Sequence, residues 1–265
     1  MPSKVFYNIA HRGASGYRPE NTVPSFLLAM ELGTKMWECD VRFTRDKEIV
    51  VIHDATVDRT TDGTGAVRDF TYSQLAKLDA GSWFSPEFAG ARIPTLGQVL
   101  ELFDDATELV VEIKDGIYFP EITDAVVEMV IARGLESQVH ISAFHWQVLD
   151  RVKALTSKIR TSALVVCSNQ PTPPPRSIDG KEVPVYTKPQ DLIADALAHD
   201  VDILCPPAGF ITEAVVEQAH AAGLLIRAWG LKGRDEQEMA RLVRCGVNGM
   251  TTNYPDVLEE IYRNS

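Results

Sequence analysis

The chain has 265 residues, 45% of them hydrophobic and 24% charged, with 26 basic against 37 acidic side chains and a net charge of −11. That is ordinary for a globular protein, and the acidic balance argues against a nucleic-acid partner, which needs a basic footprint, though not against a small phosphate held in a local basic pocket. No apolar run is long enough to span a bilayer, the opening M-P-S-K-V-F-Y-N-I-A lacks the apolar core of a signal peptide, and Cys39, Cys167, Cys205 and Cys245 are scattered as reduced thiols would be, so the chain is expected to be cytoplasmic with no stable membrane insertion.

In chain order, residues 7–10 predict a short strand that ends at His11-Arg12-Gly13. Residues 23–32 predict an apolar-periodic helix, capped by Asn21 or Thr22 and closed by Gly33. The next strand carries W-E-C-D-V at 37–41. Side chains two apart on a strand share a face, so Glu38 and Asp40 point one way and Trp37, Cys39 and Val41 the other. Two adjacent like charges on one face repel unless something cationic lies between them, and a hard divalent ion with oxygen ligands is the simplest answer. A solvated strand face is the plainer alternative. A further strand at 49–52 then delivers His53-Asp54 at its tip.

After Asp54 the rhythm breaks. The segment to Pro94 holds D-R-T-T-D-G-T-G, a short helix at 72–78 and G-S-W-F-S-P-E-F. A stretch this long between regular elements predicts a functional or inserted piece, so the chain reads as one domain over 1–265 with an insertion at about 54–94. Alternation then resumes, with strands at 108–114, 138–143, 159–166, 201–205, 224–229 and 246–251, and helices between and after them. Residues 168–188, opening near P-T-P-P-P, predict an extended, partly rigid loop.

Leaving the insertion and its strand aside, eight strands alternate with helices. Many are continuous apolar runs, as in a parallel sheet buried on both faces. The prediction is an α/β fold, a (β/α)8 TIM barrel with a small insertion after the second strand and its site at the C-terminal strand ends. A doubly wound open sheet is the alternative, and its dinucleotide version is weakened because no G-x-G-x-x-G follows the first strand.

In a barrel the strand tips converge. Here they read His11-Arg12, Glu38-Asp40, Glu112-Lys114, Phe144 and Trp229, with His53 just beyond the second strand. Three inward carboxylates can hold one Mg²⁺ or Ca²⁺, two histidines can serve as acid and base, and Arg12 and Lys114 can bind a phosphate. That inventory suits phosphoryl transfer. Phe144 and Trp229 are candidates for an apolar wall. Asp54 and Arg59 are expected to hold the insertion, or Asp54 to orient His53. Glu20 and Asn21 either close the site or cap the helix. His140, His145, His199 and His220 are expected to be structural or exposed.

At this point the chain resembles the glycerophosphodiester phosphodiesterase family. The matching pieces are H-R-G at 11–13, P-E-N-T at 19–22, E-C-D at 38–40, H-D with D-R-T-T-D-G-T-G at 53–65, I-P-T-L at 93–96, E-I-K at 112–114, I-S-A-F at 141–144, Trp229 and T-N-Y-P at 252–255. The resemblance implies a barrel that hydrolyses glycerophosphodiesters to sn-glycerol 3-phosphate and an alcohol. It implies Glu38, Asp40 and Glu112 as ligands of one divalent ion, His11 and His53 as the acid–base pair in either order, and Arg12 and Lys114 on the phosphate. It also makes attack by the neighbouring glycerol hydroxyl, through a cyclic phosphate, an expected route, with direct attack by water as the rival. After Trp229 the chain departs from the family's Thr-Val-Asn, reading Gly230-Leu231-Lys232. The expected partner is a small-molecule glycerophosphodiester, and the chain is expected to be a monomer or homodimer. A barrel that cleaves a lipid phosphodiester and a non-catalytic phosphodiester-binding barrel are the competing readings.

Overall fold

The computed structural model describes residues 6–231 and 233–265. Eight strands form the centre: β1 Tyr7–His11, β2 Met36–Phe43, β3 Glu108–Ile113, β4 Val139–Ala143, β5 Arg160–Leu164, β6 Ile203–Cys205, β7 Leu225–Ala228 and β8 Gly249–Thr252. Each runs parallel to the next. The pairing of β8 with β1 closes the ring, which excludes the open-sheet alternative. Helices follow the strands, as in Val23–Glu31 after β1 and Glu121–Ala132 after β3.

The alternation along β2 sorts the core. Trp37, Cys39 and Val41 are fully buried outside the barrel wall, in one cluster with Phe26, Ala29, Val126 and Val130. Each fully buried side chain of this size contributes about 1.5–3 kcal/mol, so the outward row of β2 fixes its register as firmly as the backbone ladder does. Inside the barrel, Tyr7, Ile9, Met36 and Val110 fill the lower part, which leaves the upper interior to polar residues.

The strand Ile49–Val51 lies outside the ring, antiparallel to β2. It opens the insertion, which packs on a small core of its own: Val50, Ile52, Val57, Val67, Leu75, Ala80 and Ile93. The helix expected at 72–78 is one turn, Tyr72–Leu75. Two differences bear on the site. The strand expected to run to Val166 stops at Leu164, and Val166–Cys167 pairs instead with Val185–Tyr186. The segment 168–188 is more than an extended loop. Arg176–Ile178 and Lys181–Val183 form an antiparallel hairpin around Asp179-Gly180. Both turn residues have positive φ, 50° and 81°, the two-residue turn whose twist matches that of its strands.

Candidate active site

Register assembles the site. His11 on β1 sits beside Glu38 on β2, Asp40 sits beside Glu112 on β3, and Glu112 sits beside Ser142 on β4. Neighbouring strands lie about 4.8 Å apart, so the carboxylates are brought together by the ladder. One ligand atom from each of Glu38, Asp40 and Glu112 lies within 4.8 Å of the others.

The turn after β1 is built to reach this cluster. Arg12 takes a left-handed conformation, φ 56°, rare for a residue with a side chain. That conformation lets its backbone N–H donate to Glu38 Oε2 at 3.0 Å. Gly13 follows at φ 79°, where a Cβ would lie 2.4 Å from Ser25 Oγ, so only glycine fits. Asn21 is also left-handed, and its backbone N–H donates to the Arg12 carbonyl. Its side chain leaves the helix cap to Thr22 and turns to Asp40: Nδ2 donates to Asp40 Oδ2 at 2.9 Å, and Oδ1 accepts from the Asp40 N–H. Glu20 closes the site's edge, pairing with Arg12 at 2.7 Å and with Arg59 of the insertion at 2.7 Å.

Charge is unevenly shared here. Asp40 is fully buried, with Lys114 Nζ and Arg12 Nε each 3.0 Å away. Burial would raise its pKa, but Lys114 and Arg12 hold it well below the usual carboxylate range. Glu38 goes the other way: burial, then the Asp40 charge, push it well above its ordinary value. Burial likewise raises Glu112, although Lys114 pairs with it. Lys114 is held protonated despite burial by Asp40 and Glu112. Glu38 Oε1 is buried with no hydrogen-bond partner. With every carboxylate ionised, as a bound cation would require, Glu20, Glu38, Asp40, Asp54 and Glu112 stand against Arg12, Arg59 and Lys114. An orphaned carboxylate oxygen and a deficit of two positive charges fit a divalent cation.

The two histidines line the same space, each fixed at Nδ1. His11 Nδ1 meets Asn253 Oδ1 at 2.7 Å, and His53 Nδ1 meets Asp54 Oδ1 at 2.6 Å. An acceptor at Nδ1 places the proton there and leaves Nε2 free. Burial, followed by Arg12 for His11 and Lys114 for His53, lowers both rings below their ordinary pKa. Asp54 in turn accepts from Arg59 Nε at 2.7 Å, so it both orients His53 and ties down the insertion.

These groups line one cavity of about 260 Å³. Among its walls are His11, Arg12, Glu38, His53, Glu112 and Lys114, together with Phe144 and Trp229. The two aromatic rings meet edge to face at 5.4 Å between centroids. Gly230 and Leu231 also line it, while Lys232 lies outside the described residues. His11, Arg12, Glu38, His53, Glu112, Lys114, Phe144 and Trp229 therefore share this cavity, and Asp40 joins it through the carboxylate cluster. Of the two alternatives for Asn21, the side chain takes the site and not the cap. Two residues were missed: Asn253 had no spacing signal linking it to His11, and Arg42 was passed over although it continues the Glu38–Asp40 row by the same alternation.

Together, the closed barrel and the carboxylates, histidines and cations at its C-terminal strand ends define a (β/α)8-barrel of the enzyme type, with its site where such barrels carry their chemistry. The model of the glycerophosphoryl diester phosphodiesterase family matches residues 11–257, and the chain belongs to that family. It is 37% identical over 257 residues to a glycerophosphodiester phosphodiesterase of Caldanaerobacter subterraneus subsp. tengcongensis, covering 96% of this chain and 97% of the relative. It is 30% identical over 278 residues to a glycerophosphodiester phosphodiesterase of Bacillus subtilis, covering 98% and 87%. A solved phosphodiesterase of Oleispira antarctica, in complex with the product sn-glycerol-3-phosphate, superposes with a TM-score of 0.81 at 29% identity, covering 97% of this chain and 96% of that one.

Proposed function

We propose that the chain hydrolyses glycerophosphodiesters to sn-glycerol 3-phosphate and an alcohol. The observation that carries this is the single cavity in which three clustered carboxylates, two Nδ1-anchored histidines, the buried Lys114 and the half-buried Arg12 meet. Family membership and the product complex of the Oleispira antarctica relative support it. Glu38, Asp40 and Glu112 would hold one divalent ion, Mg²⁺ or Ca²⁺, which when bound neutralises charge on the phosphoryl oxygens. Arg12 and Lys114 present the remaining positive charge to the phosphate, Arg12 as a fork held by Glu20 and Lys114 as a point charge.

His11 and His53 are the acid–base pair. The glycerol hydroxyl next to the phosphate-bearing carbon attacks phosphorus while one histidine takes its proton at Nε2. The other, entering the step as its imidazolium, gives its Nε2 proton to the departing alkoxide. Because that attack is intramolecular, most of the entropy of bringing the groups together is already spent. Water then opens the cyclic phosphate with the two histidines in exchanged roles. Phe144 and Trp229 wall the glycerol end. Incubation with a panel of glycerophosphodiesters should release sn-glycerol 3-phosphate, and an analogue lacking the neighbouring hydroxyl should bind yet resist cleavage. Cleavage of that analogue at the normal rate would replace the cyclic route with direct attack by water.

The chain is read as acting on a small substrate in the cytoplasm, as monomer or homodimer. No helix among the described residues is long and apolar enough to cross a membrane, and all four cysteines are free, as in a reducing compartment.

A further inference from the structure

The row of inward charges on β2 does not end at Asp40. Arg42 is the next residue on that face, and its side chain is only 3% exposed. A buried guanidinium is costly unless its donors are met. Here Nε donates to the His53 carbonyl at 2.8 Å. Nη1 pairs with Asp115, just beyond β3. Nη2 pairs at 2.9 Å with Asp179, 137 positions away at the tip of the 176–183 hairpin. The same hairpin is held a second time, where His145 Nε2 donates to the Ile178 carbonyl at 3.0 Å; His145 follows Phe144 of the cavity wall. The hairpin lines no part of the large cavity. It borders a smaller one of about 140 Å³, on the far side of Phe144 and Leu164. Its reach into the site runs through Arg42 and the backbone that carries His53, and through His145 beside Phe144.

We propose that Arg42 and Asp179 form a clip through which this hairpin holds His53 in place, making Arg42 a positioning residue of the reaction. The proposal rests on His53 acting in the hydrolysis proposed above. His53 is then fixed at two points: Asp54 holds its ring at Nδ1 and Arg42 holds its carbonyl. The first sets the proton, the second the height of the ring over the cavity. A planar fork suits a task with three acceptors in different directions, and a lysine could satisfy only part of it. Asp179 supplies charge that keeps the fork ordered, and its left-handed backbone is one that asparagine also adopts readily.

Asp179→Asn removes the charge while keeping the turn. With glycerophosphoethanolamine as substrate, it should lower kcat about tenfold with KM nearly unchanged, since small misplacement of a reacting group is expensive in rate. Arg42→Lys should do the same or more. The deciding comparison is Asp179→Asn made in a His53→Ala background. A clip that works through His53 predicts no further loss there, whereas a hairpin acting independently predicts that the two losses multiply. Hydrogen exchange of Asp179→Asn is read beside it. Amides at 52–56 should exchange faster together with those at 176–183. Multiplying losses, an unchanged kcat, or faster exchange confined to the hairpin would each overturn the proposal. The exchange result stands whether or not the chain turns over a glycerophosphodiester, so a failure of the clip and a failure of the proposed function are told apart.

Discussion

His11 meets a partner 242 positions away, Asn253. The acceptor at Nδ1 decides which ring nitrogen is free, and so leaves Nε2 as the atom that would exchange a proton with substrate in the proposed reaction. Removing the ring should cost on the order of 10²–10⁴ in kcat, as for any positioned acid or base. Removing only the acceptor, by Asn253→Ala, should lower kcat about 10–100-fold, the usual range for a group that orients a functional histidine. Both losses should fall on kcat more than on KM. A normal kcat in Asn253→Ala would mean that the ring is held by its packing alone.

At the scale of elements, the turn from β1 into the helix Val23–Glu31 ties the fold to the site. Gly13 has no room for a Cβ against Ser25, and its φ is positive. Gly13→Ala should therefore destabilise the protein by on the order of 1–3 kcal/mol, read as a lowered Tm, and should move the Arg12 N–H off Glu38. Full stability in that variant would show that Ser25 can give way.

How far elements could be read in advance follows from the range of the signals. The period of two placed Glu38 and Asp40 on one face because a strand imposes it locally. The count of alternating elements led to a closed barrel because few folds of this length accommodate eight such units. The register that sets Asp40 against Glu112 was not legible, since nothing along one strand names its neighbour's position. The hairpin was missed for a different reason. Asp179-Gly180 is a strong two-residue turn signal, but its arms are only three residues each, and the proline run before them dominated the reading of the segment. Arg42 was within reach of the alternation that found Asp40, yet its role depends on Asp179, which only the tertiary fold brings near.

Across the whole molecule, two ends of the barrel carry buried charge. At the lower end His140 is fully buried beside Tyr7, with Nε2 3.3 Å from Glu108 Oε2 and no partner at Nδ1. Burial lowers its pKa, and Arg227 adds to the effect against Glu108, which raises it. The folded state thus resists a proton that the unfolded chain accepts near pH 6.5, about the free histidine value. The contribution is fully present above that pH and is lost as pH falls toward the lowered folded value, because the unfolded state then binds more protons. Tm should therefore rise as pH rises to about 6.5, and the rise should be smaller in His140→Gln. An identical slope in the two proteins would remove His140 from the pH response.

At the upper end, the carboxylates outnumber the cations that touch them, and the account turns on a divalent ion closing that gap. The most direct test is the initial rate of sn-glycerol 3-phosphate release from a glycerophosphodiester by one preparation, measured after exhaustive chelation and again after adding Mg²⁺ or Ca²⁺. The account predicts no turnover in the chelated protein and recovery on adding one of these ions. Full activity after chelation would contradict it.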